Sequence, residues 1–475
     1  MIRKFLNTVI ESTLQVQPQS LVYPSPFTKA DTKPLAWLMN VAPCFPVNSN
    51  DIQILSEPQE FYETLCRHGN EAKERITLAS LYLGNGELER KLVESILSNS
   101  NFRDLNINVL LDYSRGSRSK NNSRRMLQPL LQHSNFKLSL YHTPELRGFY
   151  KRIAPNRWNE LFGIQHMKLY IFDDTLIMSG ANLSQDYFTN RQDRYFVIKN
   201  KYLCDFYCGL VEKVQGFSLV VDKGDGVRMS EGWQLPFECP KEEFVQRAGD
   251  SVESYIYDSK DEQNSHKQDG YDTWVFPLVQ MGQLGIEQDA NATDRIFAEA
   301  PADSKMNIAT AYFNLTHDYM KTLIGESRAQ CNLLMAHPKA NGFLGAKGMA
   351  GGIPDGYTVF ARRFQRKLEA MGQGDRISLK EYVRDGWTYH AKGLWYYGPS
   401  ADLPCLTLVG SPNFGGRSVL KDLETQVALV TENPDLRTKL HGECKRLYDL
   451  GLPGDFKRDT PKWVYAMVFL FRDFF

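Results

Sequence analysis

One short pattern occurs twice in this chain. His166 and Lys168 begin the sequence His-x-Lys-x-x-x-x-Asp, which ends at Asp173, and His390 and Lys392 repeat the His-x-Lys pair 224 residues later. Apolar residues run through both stretches, so each is predicted to be a buried strand. Residues two apart on a strand share one face. Each copy therefore places an imidazole beside an ammonium, a pairing that suits a phosphate group.

The residues that follow the two pairs also match. A turn of small residues carries Asn182 after the first pair, and a second such turn carries Ser411 and Asn413 after the second. Asp193 lies eleven residues after Asn182, and Glu424 lies eleven residues after Asn413. An apolar run typical of a strand follows each acid. This agreement predicts an internal duplication with about 170–190 residues per copy.

Both copies show the alternation of strands and helices that is typical of an α/β fold. Buried strands are predicted at 76–83 and 107–112 in the first copy, and at 306–313 and 331–336 in the second. Such alternation favours a mainly parallel or mixed sheet covered by helices on both faces. The predicted domains are an N-terminal arm (1–50), a first domain (51–221), a linker or insertion (222–272), a second domain (273–460) and an apolar tail (461–475).

Composition narrows the class of protein. The chain has 56 Lys+Arg and 56 Asp+Glu, so the molecule as a whole is not a basic nucleic-acid binder. No apolar run approaches the roughly 20 residues of a membrane span. The apolar tail is predicted either to dip into a lipid interface or to pack on the core. Residues 1–10 are weakly basic and amphipathic, as at the start of an organelle presequence. Cys204 and Cys208 could belong to a zinc site, but no second pair with matching spacing exists, and free thiols in a reducing compartment are the better interpretation.

The repeated residues suit phosphoryl transfer by covalent catalysis. One histidine can attack phosphorus, while the second protonates the leaving group and then deprotonates the incoming hydroxyl. The phosphoryl charge would be held by the two lysines and two asparagines, with no metal or other cofactor required. Each histidine also needs an acceptor on its other ring nitrogen, for which Asp193 and Glu424 are the candidates. The two halves are then expected to face each other across a pseudo-two-fold axis.

Other residues carry weaker predictions. Asp173 is placed with the catalytic residues by the first pattern, but the second copy has Tyr397 at the matching position, so a bond to the main chain is an alternative. A single His-x-Lys pair is more often structural than catalytic, and it is the duplication that favours catalysis here. Four cations are further candidates for binding substrate; they are Arg115, Arg191, Arg194 and Lys347.

These motifs resemble those of the phospholipase D superfamily, whose mark is a duplicated His-x-Lys. Within it, the chain is similar to phosphatidyltransferases of eukaryotic mitochondria that use CDP-diacylglycerol and sn-glycerol 3-phosphate. The closer similarity lies in residues 79–84, 165–170, 179–184, 187–195, 341–348 and 390–393. The resemblance implies two α/β/α sandwich domains with the active site at their interface. It also implies that the product is phosphatidylglycerophosphate, with CMP released.

The resemblance further implies roles for individual residues. His166 would be the nucleophile and His390 the general acid and base, while Lys168, Lys392, Asn182, Asn413 and Ser411 would hold the phosphate. In relatives the acids cross between the halves, so Glu424 is expected to orient His166 and Asp193 to orient His390. Peripheral attachment to the matrix side of the inner mitochondrial membrane is also implied. The alternatives are a phosphatidylserine or cardiolipin synthase, a phospholipase D-type hydrolase, a nuclease and a non-catalytic lipid-binding protein.

Overall fold

The structure is a computed structural model that describes residues 23–148, 162–266, 268 and 270–470. The basic segment 1–10 lies outside these residues. Most of the strands belong to one of two large sheets, and these have equivalent strand orders, so the predicted duplication and α/β class are confirmed. The helices cover the sheets, and apolar side chains from both contribute to three buried clusters.

The strands are numbered in chain order. They are β1 (Phe45–Val47), β2 (Ile52–Leu55), β3 (Arg75–Ala79), β4 (Asn106–Asp112), β5 (Phe136–Tyr141), β6 (Leu169–Phe172), β7 (Thr175–Ser179), β8 (Arg191–Gln192), β9 (Tyr195–Lys199), β10 (Leu219–Val221), β11 (Val227–Met229), β12 (Thr273–Met281), β13 (Ile286–Glu287), β14 (Lys305–Thr310), β15 (Gln330–Ala336), β16 (Ile377–Tyr382), β17 (Thr388–Tyr389), β18 (Gly393–Tyr397), β19 (Leu406–Gly410), β20 (Leu423–Thr431) and β21 (Gly451–Pro453).

The helices are numbered in the same way. They are α1 (Leu38–Val41), α2 (Pro58–Glu71), α3 (Glu87–Leu97), α4 (Tyr113–Gly116), α5 (Ser123–Met126), α6 (Gln128–Leu131), α7 (Gln185–Thr189), α8 (Lys201–Gly216), α9 (Lys241–Asn264), α10 (Gln288–Glu299), α11 (His317–Lys321), α12 (Ile353–Ala370), α13 (Gly416–Leu420), α14 (Pro434–Tyr448) and α15 (Lys462–Leu470).

The two sheets have the same order of equivalent strands. In the first sheet β5, β4, β3, β6, β7, β9 and β2 are neighbours in that order, and β16, β15, β14, β18, β19, β20 and β12 repeat it in the second. In each sheet three strands run parallel, because β3 pairs with β4 and β4 with β5, as β14 does with β15 and β15 with β16. The strand that follows each His-x-Lys pair joins this group antiparallel. Both sheets are therefore mixed, as the sequence predicts.

The predicted arm is part of the fold in its described portion. Residues 45–47 form β1, which pairs antiparallel with β12 of the second sheet. Phe27, Leu38 and Met39 are buried in the same apolar cluster as Trp274 of β12. Only four residues separate β1 from β2, which belongs to the first sheet. This part of the chain therefore fastens the two halves together, and its interpretation as an arm or linker is wrong.

The predicted linker at 222–272 is also largely ordered. β10 and β11 form a hairpin that extends the first sheet beyond β5. Helix α9 then runs for 24 residues. It buries Phe244, Ala248, Val252 and Ile256 in the cluster between the halves. Its polar composition reflects an exposed outer face, and apolar residues at helical spacing anchor the inner one.

The tail also has structure in its described portion. Residues 462–470 form α15, which buries Val464, Met467 and Val468 against the second domain. Its other side chains are largely exposed, including Trp463 and Phe469. Among the residues that the structure describes, no helix combines the length and apolar character needed to cross a membrane.

Candidate active site

The two His-x-Lys segments lie just before strands, where each pairs with the opposite half. The main-chain N–H of His166 donates to the carbonyl of Leu423 at 2.8 Å, and that of His390 donates to the carbonyl of Gln192 at 2.8 Å. β17, which leads into His390, pairs with β8 in parallel. The strands β6 and β18 therefore begin a few residues later than predicted. The motif segments themselves form main-chain hydrogen bonds with the opposite half.

This exchange brings each histidine to the acid of the other half. Nδ1 of His166 lies 2.9 Å from both carboxylate oxygens of Glu424. Nδ1 of His390 lies 2.7 Å from Oδ2 of Asp193. The crossed pairing that the resemblance implied is therefore present. Because a carboxylate accepts at Nδ1, each ring carries its proton there and presents Nε2 as the free base.

The two lysines occupy equivalent positions. Nζ of Lys168 donates to the carbonyl of His166 at 2.7 Å, and Nζ of Lys392 donates to the carbonyl of His390 at 2.7 Å. Both side chains are almost fully buried. Lys392 also lies 3.9 Å from Asp193. A Cβ on Gly180 would lie 2.9 Å from the Lys392 ammonium, so only glycine lets the small-residue turn approach this closely.

The two turn asparagines carry polar atoms that are buried: the Asn182 side chain is buried, and that of Asn413 is half-buried. Within the described parts of the chain, the side-chain carbonyl oxygens of Asn182 and Asn413 are buried with no hydrogen-bond partner. Buried polar atoms are rarely left unsatisfied in folded proteins, and exceptions concentrate at functional sites. Ser411 lies at the base of the second turn, where its Oγ bonds to the main chain of Thr425. Burial raises the pKa of Glu424, and a hydrogen bond from Ser411 opposes this rise, so Ser411 supports both the turn and the acid of the site.

Asp173 lies outside this cluster. It forms the tight turn between β6 and β7 with φ at 52°, and its carboxylate accepts from the main-chain N–H groups of Lys73, Glu74 and Arg75. It lies five positions after Lys168 along nearly extended chain, roughly 17 Å at the rise of a strand. In the second half, Tyr397 holds this place and lies under the Lys305 ammonium. Its assignment to the catalytic residues is therefore wrong, and the position is structural in both halves.

Known proteins resemble this chain along most of its length. A family model described as “Cardiolipin synthase, PLD-like domain” matches residues 65–213. A mitochondrial CDP-diacylglycerol–glycerol-3-phosphate 3-phosphatidyltransferase from Gallus gallus is 43% identical over 87% of this chain and 80% of its own. The protein of that name from Homo sapiens is 41% identical over 92% of this chain and 85% of its own. The chain belongs to the CDP-diacylglycerol–glycerol-3-phosphate 3-phosphatidyltransferase family.

A solved structure supports the fold assignment independently. The crystal structure of phosphatidylserine synthase from Haemophilus influenzae superposes with a TM-score of 0.71 and covers 93% of this chain and 97% of its own. Its sequence is only 20% identical, so this likeness concerns the fold alone. The predicted phospholipase D-like sandwich with two equivalent halves is confirmed.

The four candidate cations of this family member have different surroundings. Arg191 lies above the Tyr187 ring, pairs with Asp186 at 3.1 Å and is close to the main chain of Gly342. Arg194 is fully buried, where it pairs with Glu443 at 2.8 Å and stacks on Trp395 at 3.8 Å. The buried ion pair makes Arg194 part of the core, so its assignment to substrate binding is wrong.

The other two candidate cations are Arg115 and Lys347. The Arg115 guanidinium lies 4.4 Å from the centre of the Tyr82 ring, at the carboxyl end of β4. This is the end of the sheet to which the active site also belongs, since Asp112 of β4 accepts from the main-chain N–H of Gln165. Lys347 is exposed in the glycine-rich loop between β15 and α12.

The site also contains residues that the repeated motifs do not include. The Tyr187 hydroxyl lies 3.2 Å from Nε2 of His390, and the Ser418 hydroxyl donates to Glu424 at 2.8 Å. Each of these residues comes five positions after its turn asparagine, a spacing that aligning the two copies could have revealed. The Tyr312 ring meets the His390 ring edge-on, with the centroids 5.7 Å apart.

The two half-sites carry equivalent ion pairs of opposite polarity. In the first copy Asp186 and Arg191 lie four and nine residues after the turn asparagine, and in the second Arg417 and Asp422 hold those places. The first pair is separated by 3.1 Å and the second by 2.9 Å. Asp422 also accepts from the main-chain N–H of Ile164, close to His166. The histidines thus have equivalent acids but different neighbours.

Burial sets the protonation of the site. It lowers the pKa of His166 and of His390 well below the usual value, and the nearby lysines act in the same direction. Burial also lowers the pKa of Lys168 and Lys392, although the nearby carboxylates act to raise it. It raises the pKa of Asp193 to about 6. Neutral imidazoles are therefore favoured at pH 7, as a nucleophile requires.

Metal-ligating residue types also meet at this site. His166, Asp422 and Glu424 offer one ligating atom each, all within 4.8 Å of one another. These groups are already engaged: Glu424 accepts from His166 and Ser418, and Asp422 accepts from Arg417. The donor set is therefore accounted for by hydrogen bonds and an ion pair within the protein.

Proposed function

We propose that this chain transfers the phosphatidyl group of CDP-diacylglycerol to sn-glycerol 3-phosphate, which yields phosphatidylglycerophosphate and CMP. The observation that carries the proposal is the pair of crossed histidine–acid contacts, His166 with Glu424 and His390 with Asp193. The names of the relatives supply the substrates and the mitochondrial location. Attachment to the matrix side of the inner membrane belongs to the proposal as well.

The first step is attack by Nε2 of His166 on the phosphatidyl phosphorus. A P–N bond forms as the P–O bond to CMP breaks, and Nδ1–H of the ring is stabilised by Glu424. The exposed fraction of the His166 side chain is 13%, against 4% for His390, which supports His166 as the group that meets the lipid phosphate. His390 donates its proton to the departing CMP oxygen.

The second step reverses the roles of acid and base. Nε2 of His390 takes the proton of a glycerol hydroxyl as that oxygen attacks phosphorus, and the P–N bond breaks to restore His166. His390 must be protonated in the first step although its pKa is lowered in the free protein. The bound diphosphate supplies negative charge beside the lysines, and this charge raises the pKa of the ring.

The phosphoryl oxygens are proposed to meet Lys168, Lys392 and the side-chain amides of Asn182 and Asn413. Four donors from two halves can surround one phosphorus and stabilise charge that develops in the transition state. Arg191 is proposed to hold the phosphate of glycerol 3-phosphate. Arg191 lies beside His390, and its charge adds to the effects of burial and Lys392 in lowering the pKa of that histidine. The Arg191 side chain is 13% exposed.

The decisive experiment supplies CDP-diacylglycerol and radiolabelled glycerol 3-phosphate to the wild-type protein and to His166→Ala. We expect labelled lipid with the wild type and at least a thousand-fold less with the variant. Phosphatidic acid without labelled lipid would indicate a hydrolase, and transfer to serine but not to glycerol 3-phosphate would indicate a phosphatidylserine synthase. Trapped phosphate is expected on His166; phosphate on His390 would reverse the two roles.

A further inference from the structure

Exposed apolar side chains are concentrated around the glycine-rich loop and α15. Together they form a surface that we call the apolar rim. Its members are Phe343, Leu344 and Met349 of the loop and Trp463, Tyr465, Phe469 and Leu470 of α15. Phe469 is 78% exposed and Leu470 is 68% exposed. Soluble proteins seldom expose apolar side chains in clusters unless the cluster binds something.

The two parts of the apolar rim touch each other. The Trp463 ring packs against the main chain of Gly352 so closely that a Cβ on that glycine would overlap it. The buried side of α15 packs with α12, which directly follows the loop. The loop and the helix therefore form one continuous surface.

The apolar rim is also continuous with the active site. The Phe343 ring lies 5.9 Å from the Tyr312 ring, which in turn meets His390 edge-on. A Cβ on Gly342 would lie 3.2 Å from the Arg191 guanidinium. One end of the surface thus reaches the residues proposed to carry out the transfer.

The charges of the two segments favour one kind of partner. Residues 341–352 contain Lys347 and residues 462–470 contain Lys462, and neither segment contains Asp or Glu. Tryptophan, tyrosine and phenylalanine beside lysine are typical of surfaces that lie in the interface of an anionic bilayer.

We propose that the apolar rim docks on a bilayer containing anionic lipid, and that this docking presents the lipid substrate to His166 and His390. The proposal rests on the proposed function for the identity of that substrate. Docking requires the exposed side chains of α15 and Leu344 to enter the interface. The headgroup of a lipid in the same leaflet then lies beside the Tyr312 end of the surface.

The test measures sedimentation with phosphatidylcholine vesicles that contain about one fifth phosphatidylglycerol. The variants are Phe469→Glu combined with Leu470→Glu, and Leu344→Glu alone. The control is Met371→Glu, because Met371 is 55% exposed and lies beyond the other end of α12, roughly 27 Å from Gly352. We expect at least ten-fold weaker vesicle binding by both rim variants and less than two-fold change in the control.

A second measurement separates docking from catalysis. With CDP-diacylglycerol in vesicles, the α15 double variant should be at least ten-fold slower than the wild type, whereas with substrate dispersed in detergent the two should differ less than two-fold. Equal vesicle binding by wild type and both rim variants would overturn the proposal. So would a wild-type dimer that the double variant abolishes while neither protein binds vesicles. The wild type could also bind vesicles but show no transferase activity. If the rim variants then lose vesicle binding, docking is upheld and the proposed function is refuted.

Discussion

Among single residues, the two catalytic imidazoles have the same hydrogen-bonding geometry but different charged neighbours. Each donates through Nδ1 to an acid from the opposite half. Around His390 stand the Tyr187 hydroxyl and the Arg191 cation, whereas Asp422 lies near His166. Equivalent geometry with unequal charge allows one ring to serve as nucleophile and the other as acid and base.

The pH dependence of the reaction is expected to report on Asp193. Its pKa is raised by burial to about 6, so the carboxylate takes up a proton as the pH falls through 6 and no longer stabilises a charged His390. We expect kcat to fall on the acid side with a midpoint near 6. In Asp193→Asn the remaining activity should be lower at every pH and should lack this acid limb. An unchanged limb in the variant would assign it to another group.

The acceptor phosphate is expected to depend on Arg191. A charge-assisted hydrogen bond contributes about 1.5–3 kcal/mol, so Arg191→Gln should raise KM for glycerol 3-phosphate roughly 10- to 150-fold. KM for CDP-diacylglycerol should change little. Arg124→Gln is the matched control, because Arg124 is also 13% exposed and also pairs with an aspartate. An equal effect of both substitutions would contradict the assignment.

The sequence predicts the repeated residues of the site well and the single residues poorly. His166, His390, Asp193 and Glu424 can be found because each occupies an equivalent place in both copies. Arg194 could not be placed, because its partner Glu443 lies 249 residues away and no local pattern distinguishes a buried ion pair from a substrate contact.

At the scale of secondary structure, strands with continuous apolar runs are predicted well, and polar segments are not. The sequence predicts an arm or linker where β1 lies and a linker or insertion where α9 lies, because these segments are rich in proline or polar. Their partners in the fold are distant in sequence. β1 pairs with β12 more than two hundred residues later. Pairing of this kind is decided by the tertiary fold, which outweighs local propensity.

α10 contains a buried acid whose effect on stability can be measured. Asp289 accepts from Gln426 and Thr293, and burial raises its pKa to about 7. Because the folded state holds this proton more tightly than the unfolded state, the contribution of Asp289 to stability is lost as the pH rises towards 7.

Asp289→Asn should remove this dependence while keeping an acceptor oxygen in place. As the pH rises from 5 to 7, we expect the free energy of unfolding of the wild type to fall relative to that of the variant by up to about 1.4 kcal/mol per pH unit. Denaturant titrations at several pH values provide the measurement. A constant difference between the two proteins would show that Asp289 is ionised in the folded state throughout.

At the scale of the whole molecule, the halves are interlocked. β1 and β2 are separated by four residues yet belong to different sheets, and both histidines bond to acids of the opposite half. One of the buried clusters draws side chains from both sheets.

Such interlocking predicts that the halves unfold together. Calorimetry of the wild-type protein should show a single transition, whereas domains joined only by a linker unfold separately. Asp31→Ala offers a further check, since its ion pair with Arg437 at 2.8 Å links the chain before β1 to α14. This variant should lower the temperature of the one transition without splitting it. Two resolved transitions in the wild type would contradict the inference.

The reversed ion pairs, Asp186 with Arg191 and Arg417 with Asp422, have a consequence for how such a site can evolve. In an enzyme assembled from two identical subunits, a single codon fixes both sides, so a charge gained near one imidazole appears near the other. Here each side has its own codon. Selection can therefore adapt one side to the nucleophile that carries the phosphatidyl group, and the other to the acid and base that serves both the leaving nucleotide and the incoming alcohol. Two identical sides would have to share one set of charges for both tasks.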